Sequence, residues 1–176
     1  MNKITLAMAL FAASTTASMA ASNNTITFQG EVTAQTCSVT VNGIDANPVV
    51  LLPTVSSSAL NASGKTAGKT TFTLGVSGCA TSADDINIKT VFIGNQVTTS
   101  GNLKNGGTAT NVELQLLKDA VTTTGINLNS GIAQEGIVLK AGDTSAEHDF
   151  AVQYFATGQA GAGSVISSVQ YAVSYL

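Results

Sequence analysis

Apolar and polar residues alternate along much of this chain, and the pattern is clear near its beginning. Within residues 21–34, Ile26, Phe28, Gly30 and Val32 share one parity, while Thr, Gln and Glu residues occupy the other. Successive side chains of a strand point to opposite faces, so this stretch predicts a strand with one apolar and one polar face. We expect no earlier strand to form a hairpin with it. It therefore pairs with a distant strand of its own domain or inserts into another molecule.

The same alternation predicts further short strands separated by turn signals. The apolar run 49–52 lies between Pro48 and Pro53, which predicts an edge strand or a bent segment. Residues 56–69 are rich in small residues and predict a loop, and the irregular stretch 122–136 predicts one short pairing at 126–128. The other predicted strands are 36–41, 70–77, 85–93, 112–116, 137–140, 150–156 and 164–175. Without a sustained helical period, this spacing predicts an all-β antiparallel sandwich.

Residues 1–20 have the pattern of a signal peptide. Lys3 precedes an apolar run of about ten residues, and Ser18-Met19-Ala20 supplies the small-x-small cleavage pattern. The alternative, an uncleaved membrane anchor, is disfavoured because the run is short for a bilayer span. We expect cleavage after Ala20, which leaves 176 − 20 = 156 residues, one domain of ordinary size.

The charge of the chain argues against two classes of partner. All seven basic residues are lysines, they are scattered, and the formal net charge is −3, or −4 once Lys3 is removed. Binding to nucleic acid or to an anionic membrane is therefore not expected. Only 10% of residues are charged, against a usual figure of about 25%. Such a composition suits a β-rich extracellular surface, or a surface covered by other copies of the chain.

Two cysteines, Cys37 and Cys79, follow the predicted export signal. An even number of cysteines in an oxidising compartment favours a disulfide. A metal site is the alternative, but two thiols and one histidine provide too few ligands at zinc-site spacing.

Catalytic chemistry is not predicted. The single histidine, His148, lies between two acidic residues, but no nucleophile-elbow pattern accompanies it, and we interpret it as a solvated residue at a turn or strand start. Asp84 and Asp85 are adjacent and would point to opposite faces of a strand. We therefore predict that the chain is not an enzyme and binds no small-molecule cofactor.

Four features occur together in this chain: the export signal, the alternating amino-terminal strand, the two cysteines, and an apolar alternating strand at the carboxyl terminus. With them the sequence resembles pilins of the chaperone–usher pathway, of the type 1 fimbrial major-subunit kind. The resemblance rests on Phe28-Gln29-Gly30-Glu31-Val32, Cys37 and Cys79, the stretches 150–157 and 163–176, Gly163 fourteenth from the end, and the penultimate Tyr175.

The resemblance implies an incomplete immunoglobulin-like sandwich that lacks its last strand. Residues 21–35 would then be a donor-strand extension, with Ile26, Phe28, Gly30 and Val32 facing the groove of a neighbour, and 36–176 the pilin domain. Gly30 would let the backbone approach a bulky groove residue, although a simple bulge is the alternative. The groove, which a periplasmic chaperone would occupy before assembly, would be formed by the carboxyl-terminal residues Gly163, Val165, Val169, Tyr171, Val173 and Tyr175.

The function expected from this resemblance is that of a structural subunit of an adhesive surface fimbria. Its partners would be copies of itself or related pilins in a head-to-tail polymer, a periplasmic chaperone and an outer-membrane usher. It would be exported through the periplasm to the cell surface. The alternative function is that of a minor or tip fimbrial subunit, or of a secreted binding module with its own ligand site.

Overall fold

The computed structural model describes residues 32, 33, 35 and 37–175 of the chain. The donor positions Ile26, Phe28 and Gly30, and the whole of residues 1–31, lie outside the described residues. The described part contains eight β-strands and one 3-10 helix, and within it no helix is long and apolar enough to cross a membrane. The strands are β1 Ser38–Val41, β2 Thr66–Ser77, β3 Ile86–Gly94, β4 Leu103–Lys104, β5 Val112–Leu117, β6 Gln134–Leu139, β7 Ser145–Ala156 and β8 Val169–Ser174; the 3-10 helix is Ser57–Leu60.

The strands form two antiparallel sheets, which confirms the all-β expectation. The five-stranded sheet has the order β1-β2-β7-β5-β4, and the three-stranded sheet has the order β6-β3-β8. Strands β2 and β7 share the longest pairing, from Thr66 opposite Phe155 to Ser77 opposite Ser145. Within the described residues, strand β8 pairs with β3 on one side and lies at the end of the strand order of its sheet.

Three phenylalanines form the centre of the hydrophobic core. Phe150 on β7 lies 5.0 Å from Phe92 on β3 in an edge-to-face arrangement, and 5.9 Å from the stacked ring of Phe72 on β2 (centroid distances). All three rings are almost completely buried. Since β3 belongs to one sheet and β2 and β7 to the other, these rings pack the two sheets together.

A disulfide joins Cys37 to Cys79, as the sequence predicted. Cys37 directly precedes β1 and Cys79 follows β2 by two positions, and the strands pair in the register Ser38 opposite Ser77. The bond therefore fastens the short edge strand β1 to the end of its partner, in addition to four opposed residue pairs.

The prediction of a loop over residues 56–69 was wrong at both ends. Its first part contains the 3-10 helix, capped by Ser56 and anchored by the buried Leu60, and β2 begins at Thr66. The register of β2 against β7 shifts between Ala67 and Thr70, and Gly68 within this bulge has φ +64°. An irregular register of this kind removes the alternation from which a strand is predicted, because an extra residue reverses the parity.

The last predicted strand, 164–175, is shorter than expected. Only Val169–Ser174 forms the ladder with β3. The preceding residues hydrogen bond instead to the connection between β4 and β5: Gly106 N donates to Ile166 O at 2.8 Å, and Ala109 N donates to Ser164 O at 3.0 Å. The final segment thus begins beside one sheet and ends in the other.

Asp119 stabilises the turn after β5, and this predicts a pH effect. Its carboxylate accepts bonds from the Thr122 N–H (2.6 Å) and hydroxyl (2.9 Å) and from the Val121 N–H (2.8 Å), and these bonds lower the pKa of Asp119. A lowered folded-state pKa gives stability that is present above the unfolded pKa of about 3.9 and is lost as the pH falls through the folded value. We expect Asp119→Asn to flatten the decline of the urea midpoint below about pH 4. An Asp119→Asn profile that declines in parallel with the wild type below pH 4 would contradict the assignment.

Candidate functional site

The carboxyl-terminal segment presents a row of apolar side chains that are only half-buried. Every second residue from Val165 to Tyr175 points inward; all five apolar members pack against the main core, and none is fully buried. The residues between them face outward, as Ile166, Gln170 and Ala172 show. In a closed sandwich such a row would be covered by a neighbouring strand. Within the described chain β8 lies at the end of its sheet, and its apolar face is partly open.

Residues 48–52 run opposite this segment. Val50 and Leu52 pack against the core, whereas Val49 and Leu51 are 71% and 83% exposed. The alternation is that of a strand. Yet no backbone-to-backbone hydrogen bond links residues 48–55 to the rest of the described chain. The sequence predicted an edge strand or a bent segment here. The structure has no regular strand at 48–52, and these residues form one wall of a groove, which the sequence did not indicate.

Two cavities lie one after the other between these segments. The first, of about 200 Å³, lies between residues 48–52 and 167–171, with Phe72 and Phe92 of the core at its base. The second, of about 370 Å³, lies between residues 54–60 and 160–165 and is lined by Leu60, Val112 and Tyr154. The first segment lines the cavities in the order 48–52 then 54–60, and the second in the order 167–171 then 160–165, so the two segments run antiparallel. We call the two successive cavities together the groove.

Tyr154 links the sheet beneath the second cavity to the wall that contains residues 53–60. Its hydroxyl donates to the carbonyl oxygen of Pro53 at 3.2 Å, and burial raises the pKa of Tyr154. A Cβ on Gly68 would lie 2.8 Å from the Tyr154 ring, so the β2 bulge needs glycine both for its positive φ and for this close approach. The alternation of residues 150–156 places Tyr154 on the same face as Phe150 and Val152, but it indicates no role in the groove.

The structure brings together most of the described residues that the sequence assigned to the groove. Val165 lines the second cavity, and Val169 and Tyr171 line the first. Val173 and Tyr175 continue the same face against the core. Gly163 also borders the second cavity, but it contributes a close backbone contact rather than an apolar surface. Of the expected donor positions, only Val32 is described, and it is fully exposed.

Among the described residues, no group of three His, Cys, Asp or Glu side chains is placed so that it could hold a metal ion. Asp85 forms an exposed ion pair with Lys140 at 2.7 Å. The expectation of a solvated His148 was wrong: its ring is half-buried edge-on against Phe150, 4.6 Å between centroids, and its Nε2 lies 2.9 Å from the Lys118 carbonyl oxygen. The ring also lies against Gly136 of β6, where an added Cβ would be 2.6 Å from it.

Comparison with known proteins gives consistent matches along almost the whole chain. A sequence model of the family described as "Fimbrial protein" matches residues 26–175. The F17 fimbrial protein of Escherichia coli is 38% identical over 182 residues, which cover 99% of this chain and 99% of that protein. The major fimbrial subunit SMF-1 of Stenotrophomonas maltophilia (strain K279a) is 36% identical over 163 residues, covering 88% and 94% of the two chains.

Solved structures show the same fold. A subunit from the structure of a chaperone–usher pilus superposes with a TM-score of 0.60 at 16% identity, over 88% of this chain and 96% of that one. At this identity the likeness concerns the fold alone. It agrees with the two-sheet arrangement described above.

Proposed function

Because this chain belongs to the fimbrial protein family, we propose that it is a shaft subunit that polymerises non-covalently by donor-strand complementation between successive subunits. Proteins of this family are structural rather than catalytic, and they form fimbriae on the outside of the cell. The observation that carries the proposal is the groove: a half-buried apolar row in the carboxyl-terminal segment faces residues 48–52, which make no backbone hydrogen bond to the rest of the described chain. An apolar groove with unpaired backbone along it is suited to receiving an added strand.

The amino-terminal stretch has the properties that such a groove requires. Residues 26–32 would span about 20 Å as a strand, at about 3.3 Å per residue. Burial of Ile26, Phe28 and Val32 would contribute roughly 5–9 kcal/mol, at about 1.5–3 kcal/mol for each side chain. Main-chain hydrogen bonds to the groove walls would add to this free energy.

Possession of both a donor stretch and a groove favours an internal position in the fibre. A subunit at the tip needs only a groove, whereas a shaft subunit must accept one strand and donate another. Such head-to-tail contacts are heterologous and continue into filaments unless they close into a ring. Before assembly the groove would be occupied by a strand from a periplasmic chaperone, and an outer-membrane usher would direct assembly and export.

The decisive experiment compares the full chain with a variant lacking residues 21–34, each produced with its assembly partners. Extracts are run on a denaturing gel without boiling. We expect a ladder of multimers for the full chain, its collapse on boiling, and no ladder for the deletion. The contrary result is a single monomer band for both chains. It would mean that the stretch completes its own domain, and a secreted binding module would replace the fibre subunit.

A further inference from the structure

Polar contacts hold the part of the carboxyl-terminal groove wall that precedes β8. Residues 163–168 precede the ladder with β3, so the strand pairing does not fix their position. Residues 163–166 lie instead against residues 105–109, the connection between β4 and β5, whereas Ser168 bonds to Asn95. We propose that Asn105 is a positioning residue for strand acceptance, an inference that rests on the proposed function.

The amide of Asn105 makes four hydrogen bonds to backbone groups. Its Oδ1 accepts from Gly107 N at 2.8 Å and from Ile166 N at 3.0 Å. Its Nδ2 donates to Ala109 O at 2.9 Å and, in a longer bond, to Ser164 O at 3.4 Å. One side chain thus both accepts from and donates to the final segment, as the backbone of a neighbouring strand would do.

Neighbouring residues reinforce this contact and need close approach. Thr108 N donates to Ser164 Oγ at 3.1 Å, and Ser164 N donates to Thr108 Oγ1 at 2.9 Å. A Cβ on Gly107 would overlap the Ser164 carbonyl group, and a Cβ on Gly163 would overlap the backbone of Thr108 and Ala109. The two glycines therefore permit the approach, and the amide of Asn105 fixes its register.

This contact bears directly on the groove. Gly163, Ser164 and Val165 line the second cavity, so a displacement of 163–166 would change the width of the groove at that point.

The groups that contact the Asn105 amide are all backbone groups with no titratable side chain among them. An aspartate at position 105 would keep the acceptor but would set a carboxylate against the carbonyl oxygens of Ala109 and Ser164.

The chain supplies a matched control in its other Asn-Gly turn, Asn42-Gly43. Asn42 Oδ1 accepts from Thr73 N at 2.8 Å, and its Nδ2 donates no bond within the described chain. Asn42→Asp therefore preserves the contact, whereas Asn105→Asp loses two donated bonds. The two substitutions are chemically identical; Asn42 lies in an exposed turn, whereas Asn105 is half-buried, and Asn105→Ala separates the loss of the amide from the burial of a charge.

The test uses the full chain produced with its assembly partners and measures multimers on the unboiled gel. We expect Asn105→Asp to lower the multimer yield about tenfold, since it leaves two carbonyl oxygens unpaired and facing a charge, and Asn42→Asp to leave it unchanged. Asn105→Ala, which adds no charge, should give an intermediate loss. Equal yields for Asn105→Asp and wild type, or equal losses for the two aspartate variants, would overturn the inference.

A pH measurement separates positioning from general loss of stability. Isolated multimers of each variant are heated at pH 7 and at pH 4, and their dissociation temperature is followed by light scattering. The facing oxygens should raise the pKa of the introduced carboxyl, so protonation near pH 4 restores a donor and part of the dissociation temperature in Asn105→Asp. Asn105→Ala should show no such recovery relative to wild type, and a recovery in both variants would contradict the role. The proposed function fails if the wild type gives no ladder that depends on residues 21–34. If the wild type gives that ladder and Asn105→Asp gives the same ladder, only the inference about Asn105 fails.

Discussion

Replacement of Phe150 by alanine is expected to lower the free energy of unfolding by about 3–5 kcal/mol. The ring is fully buried and contacts Phe72 and Phe92, so its removal leaves a cavity between the two sheets. For a domain of this size the loss corresponds to a decrease of about 6–20 °C in the melting temperature. Urea and thermal denaturation of the monomeric fraction, followed by circular dichroism, measure it directly.

Phe155→Ala is the matched control for this prediction. Phe155 lies on the same strand but on the opposite face, where its ring is half-exposed. Less apolar area leaves the core, and we expect a loss below about 2 kcal/mol. A larger effect at Phe155 than at Phe150 would show that the stability of β7 does not depend on the contact between the sheets.

The inner faces of the strands were predictable because one property, period-two alternation, determines them. Phe72, Leu74 and Val76 of β2 point inward as expected, and so do Phe150 and Val152 of β7. The disulfide was also predictable, since two cysteines that follow an export signal are expected to pair in an oxidising compartment. The odd-numbered residues of the final segment face the core for the same reason of parity.

The outer face of the larger sheet was not predictable from alternation. Ala151 and Gln153 point away from the main core, yet both are buried, and the irregular chain after β5 bonds back to the end of that strand. Gln153 Nε2 donates to Gln115 Oε1 at 2.8 Å, and Leu117 beside them is completely buried. An irregular segment leaves no periodic signal, so its docking site cannot be read from local sequence.

The groove could be predicted on one side only. Its carboxyl-terminal wall follows from the alternation of Val165 to Tyr175, whereas the opposite wall is a short run between two prolines. Val50 and Leu52 belong to this second wall because their side chains cover core residues. This packing is a tertiary contact, and no local sequence pattern indicates it. The contacts of Asn105 have no local signal either, since Asn-Gly-Gly is a turn signal and says nothing of the tertiary partners of the amide.

Substitution of Val169 by aspartate is expected to abolish multimers on the unboiled gel. Val169 lines the first cavity, beside Tyr171 and opposite Val50, where a bound strand would remove its side chain from water. Burial of an unpaired carboxylate costs several kcal/mol, which corresponds to a loss of strand affinity of about 100-fold or more. The same gel, run on extracts made with the assembly partners, provides the measurement.

Gln170→Asp is the control for this last prediction, because Gln170 is the next residue on the same strand and points outward. We expect it to retain the ladder, since its carboxylate remains in water whether or not a strand is bound. Val169→Asp keeps its own amino-terminal stretch, so mixing with an excess of wild-type chain should still incorporate it at one end of short multimers. Circular dichroism and the presence of the Cys37–Cys79 disulfide establish that the variant is folded. A folded Val169→Asp chain with an undiminished ladder would show that strand exchange does not use this groove.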